Sequence, residues 1–129
     1  MYHIFISHAW LYNEPYNTLV KWINNDTDIQ WANYSVPIEN PIDTNKKREL
    51  KQKLTNKIAL SNVVIILAGM YAAYSEWIDY EIDEAVRMGK YIIGVRPWGQ
   101  ERIPKKVQDN ATIMVGWNSK SVTDAIKKK

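Results

Sequence analysis

Residues 63–68, VVIILA, form an unbroken apolar run rich in β-branched side chains. A strand that faces water on one side alternates apolar with polar residues, so a run without alternation describes a strand buried on both faces. Such strands belong to parallel sheets with helices packed above and below. Parallel neighbours cannot be joined by hairpins; each pair needs a crossover of a dozen residues or more, usually a helix.

The rest of the chain supplies those crossovers. Residues 2–7 (YHIFIS) read as a first strand. A helix follows, with Asn13 as its cap and Pro15 just inside. Tyr16, Leu19, Val20 and Ile23 fall on its buried face, and Asn24-Asn25-Asp26 stops it. Residues 29–36 (IQWANYSV) give a second, weaker strand closed by Pro37, and 38–45 a loop. The basic segment 45–57 then carries Leu50, Leu54 and Ile58 at helical spacing ahead of the third strand, 63–68. Ser75 is placed to cap a helix over 76–88, with acids in its first turn, Arg87 in its last and Gly89 as its stop. Residues 91–95 (YIIGV) and 111–115 (ATIMV) read as strands four and five, with room for only a short helical turn within 97–110. A final helix over 121–127 presents Val122, Ala125 and Ile126. These elements predict one α/β domain over residues 1–129. It is a flavodoxin-like three-layer sandwich whose five-stranded parallel sheet has order 2-1-3-4-5.

Composition removes whole classes of function. A 129-residue chain with 46% hydrophobic and 24% charged residues is neither disordered nor of low complexity. With no Cys there is no disulfide, no thiolate zinc site and no Cys nucleophile, and two His make a catalytic metal centre improbable, so no metal is expected. The longest apolar run, 63–74, has twelve residues, short of the ~20 a membrane span needs. Met1-Tyr2-His3-Ile4 has no basic region ahead of an apolar stretch, so a cytoplasmic protein without membrane contact is expected. The net charge of +3 and pI near 9.0 hint at nucleic acid. Yet six basic residues of the segment 45–57 share it with a helical apolar stripe, and Lys127-Lys128-Lys129 suits a helix end. No specific nucleic-acid binding is expected.

In a sheet of this order, ligands bind outside the carboxyl ends of strands one and three, where the winding reverses. The chain delivers Ser7, His8, Ala9 and Trp10 there from strand one, and residues 69–77 from strand three. No G-x-G-x-x-G follows strand one and no P-loop occurs anywhere, so dinucleotide-Rossmann and nucleotide-triphosphatase readings lack support. The segment 75–84 holds five of the fourteen carboxylates. Helical spacing puts Ile78, Ile82, Ala85 and Gly89 on the sheet, Trp77, Glu81, Glu84 and Met88 on one flank, and Glu76, Asp79 and Asp83 toward water. Glu81 thus falls at a half-buried border near the crevice, either a functional acid or an ordinary surface acid beside Arg87 or Lys90. His8 is either a ligand-binding residue or a strand-end His satisfied by backbone. Trp10, Tyr71 and Trp77 lie where a ring could stack a base, or serve packing alone.

Phe5-Ile6-Ser7-His8 resembles the opening motif of TIR domains, and Ser75-Glu76-Trp77-Ile78-Asp79-Tyr80-Glu81 resembles their S-x-W-C-x-x-E helix motif, with Ile78 where Cys is usual. Residues 33–37 (NYSVP), 95–99 (VRPWG) and 115–118 (VGWN) are similar to strand motifs of the bacterial TIR-like proteins of the Thoeris anti-phage system. The resemblance implies an enzyme that consumes NAD as substrate, with no bound cofactor, releasing nicotinamide and making an ADP-ribose-derived, expectedly cyclic, nucleotide second messenger. Glu81 takes the place of the catalytic residue. Ser7, His8, Trp10, Asn33, Tyr71, Ser75 and Trp77 become the substrate-binding set. A downstream effector that reads the diffusible product, and a homo-oligomer or a phage-derived trigger, are the implied partners. Two alternatives remain open at this point: a TIR-like interaction module without turnover, and a nucleoside deoxyribosyltransferase-like enzyme.

Overall fold

Five strands pair in the order β2-β1-β3-β4-β5, every pair parallel. The computed structural model describes residues 1–7, 14–36, 47–96, 99 and 102–129. Along the chain these form β1 (Tyr2–Ile6), α1 (Glu14–Asn25), β2 (Trp31–Asn33), α2 (Lys47–Leu60) and β3 (Val63–Leu67). A 3-10 turn (Ala68–Met70), α3 (Tyr71–Arg87), β4 (Tyr91–Val95), α4 (Lys105–Asn110), β5 (Ile113–Val115) and α5 (Ser119–Lys127) follow.

The unbroken apolar run is central, as its composition demands. All five residues of β3 are buried, and they alternate between two cores. Val63, Ile65 and Leu67 join Leu19 and Ile23 of α1 and Val122, Ala125 and Ile126 of α5. Val64 and Ile66 join Leu54 and Ile58 of α2, Ile78, Ile82 and Ala85 of α3, and Val107 of α4. Burying each of the Val, Leu and Ile side chains among these contributes about 1.5–3 kcal/mol. Among the described residues no helix is long and apolar enough to cross a membrane.

Four expectations need correction. The second strand spans three residues rather than the eight of 29–36. The Ile29 N–H turns back to the Asp26 carbonyl at its start, and at its end Asn33 Oδ1 accepts from the Ser35 N–H, a local turn that replaces ladder pairing. The fifth strand begins at Ile113, two residues late, because Thr112 uses its side-chain oxygen to accept from the Ile92 N–H. Ser75 does not cap a helix. Helix α3 begins at Tyr71, straight from the 3-10 turn, and breaks at Tyr74 (φ −138°, ψ 32°), so Ser75 is the first residue beyond the kink. The last helix starts at Ser119 because Asn118 is its cap, accepting from the Ser121 N–H at 2.8 Å. Gly89 ends α3 as expected, with φ of 67°. The expected Asn13 cap lies outside the described residues.

Candidate active site

Strand β1 has β2 on one side and β3 on the other, so its carboxyl end is the point where the winding reverses. Ser7 stands at that end. Its N–H donates to the Ile65 carbonyl at 2.7 Å, which pins the residue between β1 and β3. Its side chain turns to the α3 layer, where Oγ donates to Glu81 Oε1 at 3.3 Å. Ser7 is 0% and Glu81 1% exposed. The flank of α3 predicted to be half-buried is therefore buried at this point, and Trp77, one turn before Glu81, is only 5% exposed. The helix sits closer to the end of β1 than its own periodicity reveals. A buried carboxylate is costly unless hydrogen-bonded, and here one bond comes from a residue 74 positions away in sequence.

Around this pair, the start of α3 and the start of α2 form a polar rim. The Tyr71 hydroxyl donates to Asp79 Oδ1 at 2.8 Å, spanning the kink at Tyr74. That bond to a carboxylate, with burial second, holds the Tyr71 phenol above its ordinary range and thus protonated. Lys47 pairs with Glu76 at 2.6 Å, and its ammonium lies 6.0 Å from the centre of the Trp77 ring. The Glu76 carboxyl is held below its ordinary value mainly by the hydrogen bond from Lys47, with added attraction from Lys47 and Lys51.

Of the residues singled out from sequence, Ser7 and Glu81 touch, and Tyr71, Ser75 and Trp77 share the helix that carries Glu81. Asn33 is engaged elsewhere: its Nδ2 donates to the Tyr16 hydroxyl of α1 at 2.9 Å and its Oδ1 accepts from Ser35. His8 and Trp10 lie outside the described residues. Sequence reasoning missed Asp79, placed toward water but bonded to Tyr71, and Lys47, taken as part of a solvated helix face. Neither has a spacing signal, since each contact depends on the kink in α3 or on the packing of α2 against it. Among the described residues no three His, Asp or Glu side chains are grouped to hold a metal ion.

An open parallel α/β sheet that reverses its winding beside β1 is an architecture shared by many proteins, whose ligands bind at that point. The family profile of the Thoeris protein ThsB, TIR-like domain, matches residues 5–102, and the chain belongs to this family. Its role is accordingly that of a defence-related, TIR-like domain. No curated protein sequence matches the chain. Among solved structures, that of the Clostridium botulinum CMP N-glycosidase BcmB is similar to it with a TM-score of 0.59 and 13% identity. The match covers 98% of this chain and 99% of that one, and it shows a common fold.

Proposed function

We propose that this domain cleaves the bond between nicotinamide and ribose in NAD, with Glu81 as the catalytic carboxylate and an ADP-ribose-derived product. The observation that carries the proposal is the burial of Glu81 against Ser7 at the carboxyl end of β1. Nicotinamide bound to ribose is a cation that leaves neutral, taking the electron pair of the broken C1′–N bond, so no general acid is needed. Positive charge then grows on the ribose C1′ and ring oxygen. An anion fixed beside it in a low-dielectric setting stabilises that charge far better than one in water. Water attacking C1′ and giving up a proton completes hydrolysis to ADP-ribose; an atom of the same molecule as acceptor closes a cyclic product.

Within this reading Ser7 acts through Glu81, because its hydroxyl donates to the carboxylate. Tyr71 and Ser75 stand at the rim, with Trp77 beneath them. His8, Trp10 and Asn33 stay in the proposed substrate-binding set on the strength of the family motifs. The test is incubation of the protein with NAD and, separately, with cytidine 5′-monophosphate, with products resolved by mass. Release of nicotinamide from NAD supports the reading. Release of cytosine alone points instead to a nucleotide N-glycosidase, and absence of both from active-condition lysate and buffer alike to an interaction module.

A further inference from the structure

Helix α2 starts at the same end of the sheet as the proposed site, because a crossover helix begins where its preceding strand ends. Two lysines four residues apart on its face lie over two aromatic rings three residues apart on α3. Lys47 Nζ is 6.0 Å from the Trp77 ring centre and Lys51 Nζ is 5.3 Å from that of Tyr80. Trp77 precedes Glu81 by four residues, about 6 Å along a helix axis. Lys47 therefore lies near the ring one turn before the carboxylate, toward the rim.

We propose that Lys47 binds the 5′-phosphate on the ribose whose glycosidic bond is broken, exchanging Glu76 for the phosphate when substrate enters. The inference rests on glycosidic cleavage at Glu81 but not on NAD itself, since NAD and a nucleoside 5′-monophosphate both carry phosphate at this position. One ribose separates C1′ from that phosphate, and Lys47 approaches from the rim, beside the ring one turn before Glu81.

The surroundings favour the exchange. Glu76 is 59% and Lys47 38% exposed at the side chain, so their pair is solvated and contributes little to stability. Lys51 also acts on Glu76, which leaves one positive charge in excess among these three groups before a phosphate arrives. The Lys47 ammonium already lies 6.0 Å from the centre of the Trp77 ring, and a charge attracted to that place needs less ordering when a phosphate binds. Lys47 is thus not simply part of a wet helix face.

The experiment measures binding by calorimetry on Glu81→Gln protein, so that ligand is not consumed. Nicotinamide mononucleotide is compared with nicotinamide riboside, and cytidine 5′-monophosphate with cytidine. A charge-assisted phosphate contact predicts that the phosphorylated member of a pair binds about tenfold tighter. Adding Lys47→Met removes that preference and leaves the riboside unchanged, whereas Lys47→Arg keeps it. Glu76→Gln moves it the other way, to a larger preference, because the competing carboxylate is gone; this variant carries the test if Lys47→Met does not fold. A preference seen only for the cytidine pair overturns NAD as substrate and supports the phosphate site. A preference that survives Lys47→Met, or no preference in either pair, overturns the assignment of Lys47.

Discussion

Two carboxylates three residues apart on α3 live in opposite surroundings. Glu84 faces α2, where Thr55 donates to its Oε1 at 2.7 Å and the Tyr80 hydroxyl at 3.4 Å. Arg87 adds two bonds, from Nε at 2.7 Å and from Nη2 at 3.1 Å. Glu81 faces the end of β1 and takes a hydrogen bond from the neutral hydroxyl of Ser7. Arg87 neutralises the Glu84 charge from within α3, and the bond from Thr55 makes Glu84 a fastening between α3 and α2. The Ser7 hydroxyl orients the Glu81 carboxylate, which in the proposed reaction meets the cation that forms on the ribose. The same residue type on one helix is thus a strut on one side and a candidate catalyst on the other.

Glu81→Gln separates the two roles most sharply. It keeps the shape and removes the charge, and loss of a preorganised electrostatic contact lowers turnover by roughly a hundred- to thousand-fold, ~3–4 kcal/mol. The fold should persist, because burying a neutral amide costs less than burying a carboxylate. Nicotinamide release from NAD, with melting temperature recorded alongside, checks both halves. A folded Glu81→Gln protein that still turns over would remove the distinction drawn above.

Ser7→Ala probes the orienting bond alone. Losing one hydrogen bond to a charged group predicts a fall in kcat of about tenfold. KM should change little, since the hydroxyl is engaged with Glu81. A rise in KM with kcat preserved would mean that Ser7 binds substrate directly. Equal melting temperatures separate either outcome from a packing defect.

The layers and strand order of this fold are legible because they follow from hydrophobic pattern. VVIILA can only be a strand covered on both faces, and helical stripes between strands can only be crossovers. Where side chains bond back to the main chain, the pattern misleads. Asn33 and Ser35 cut β2 short, Asn118 starts α5 early, and Tyr74 breaks α3 where Ser75 reads as a cap. Glu81 is legible as the acid nearest the crevice, but not its burial, which depends on how closely α3 approaches β1. Lys47 and Asp79 are invisible to spacing, since their partners become neighbours only through the kink and the α2–α3 packing.

Glu84→Gln is expected to have the smallest effect, and its sign with pH is specific. The bonds from Arg87 first, then those from Thr55 and Tyr80, hold the Glu84 carboxyl below its ordinary value despite the opposing push of burial. A group with a depressed folded pKa adds stability that is fully present above its unfolded value, about 4.3, and lost as pH falls through the folded one. At pH 7 the substitution should therefore destabilise by about 1 kcal/mol, because the ion pair goes while the amide oxygen still accepts from Thr55. Below pH 4.3 the gap between parent and variant should shrink, since the parent carboxylate is then being neutralised in turn. Denaturant midpoints at neutral and acid pH measure the gap, and NAD turnover of the variant should stay within about twofold of the parent. A gap that widens on acidification would show that Glu84 is held in its neutral form, against the direction set by its bonds from Arg87 and Thr55.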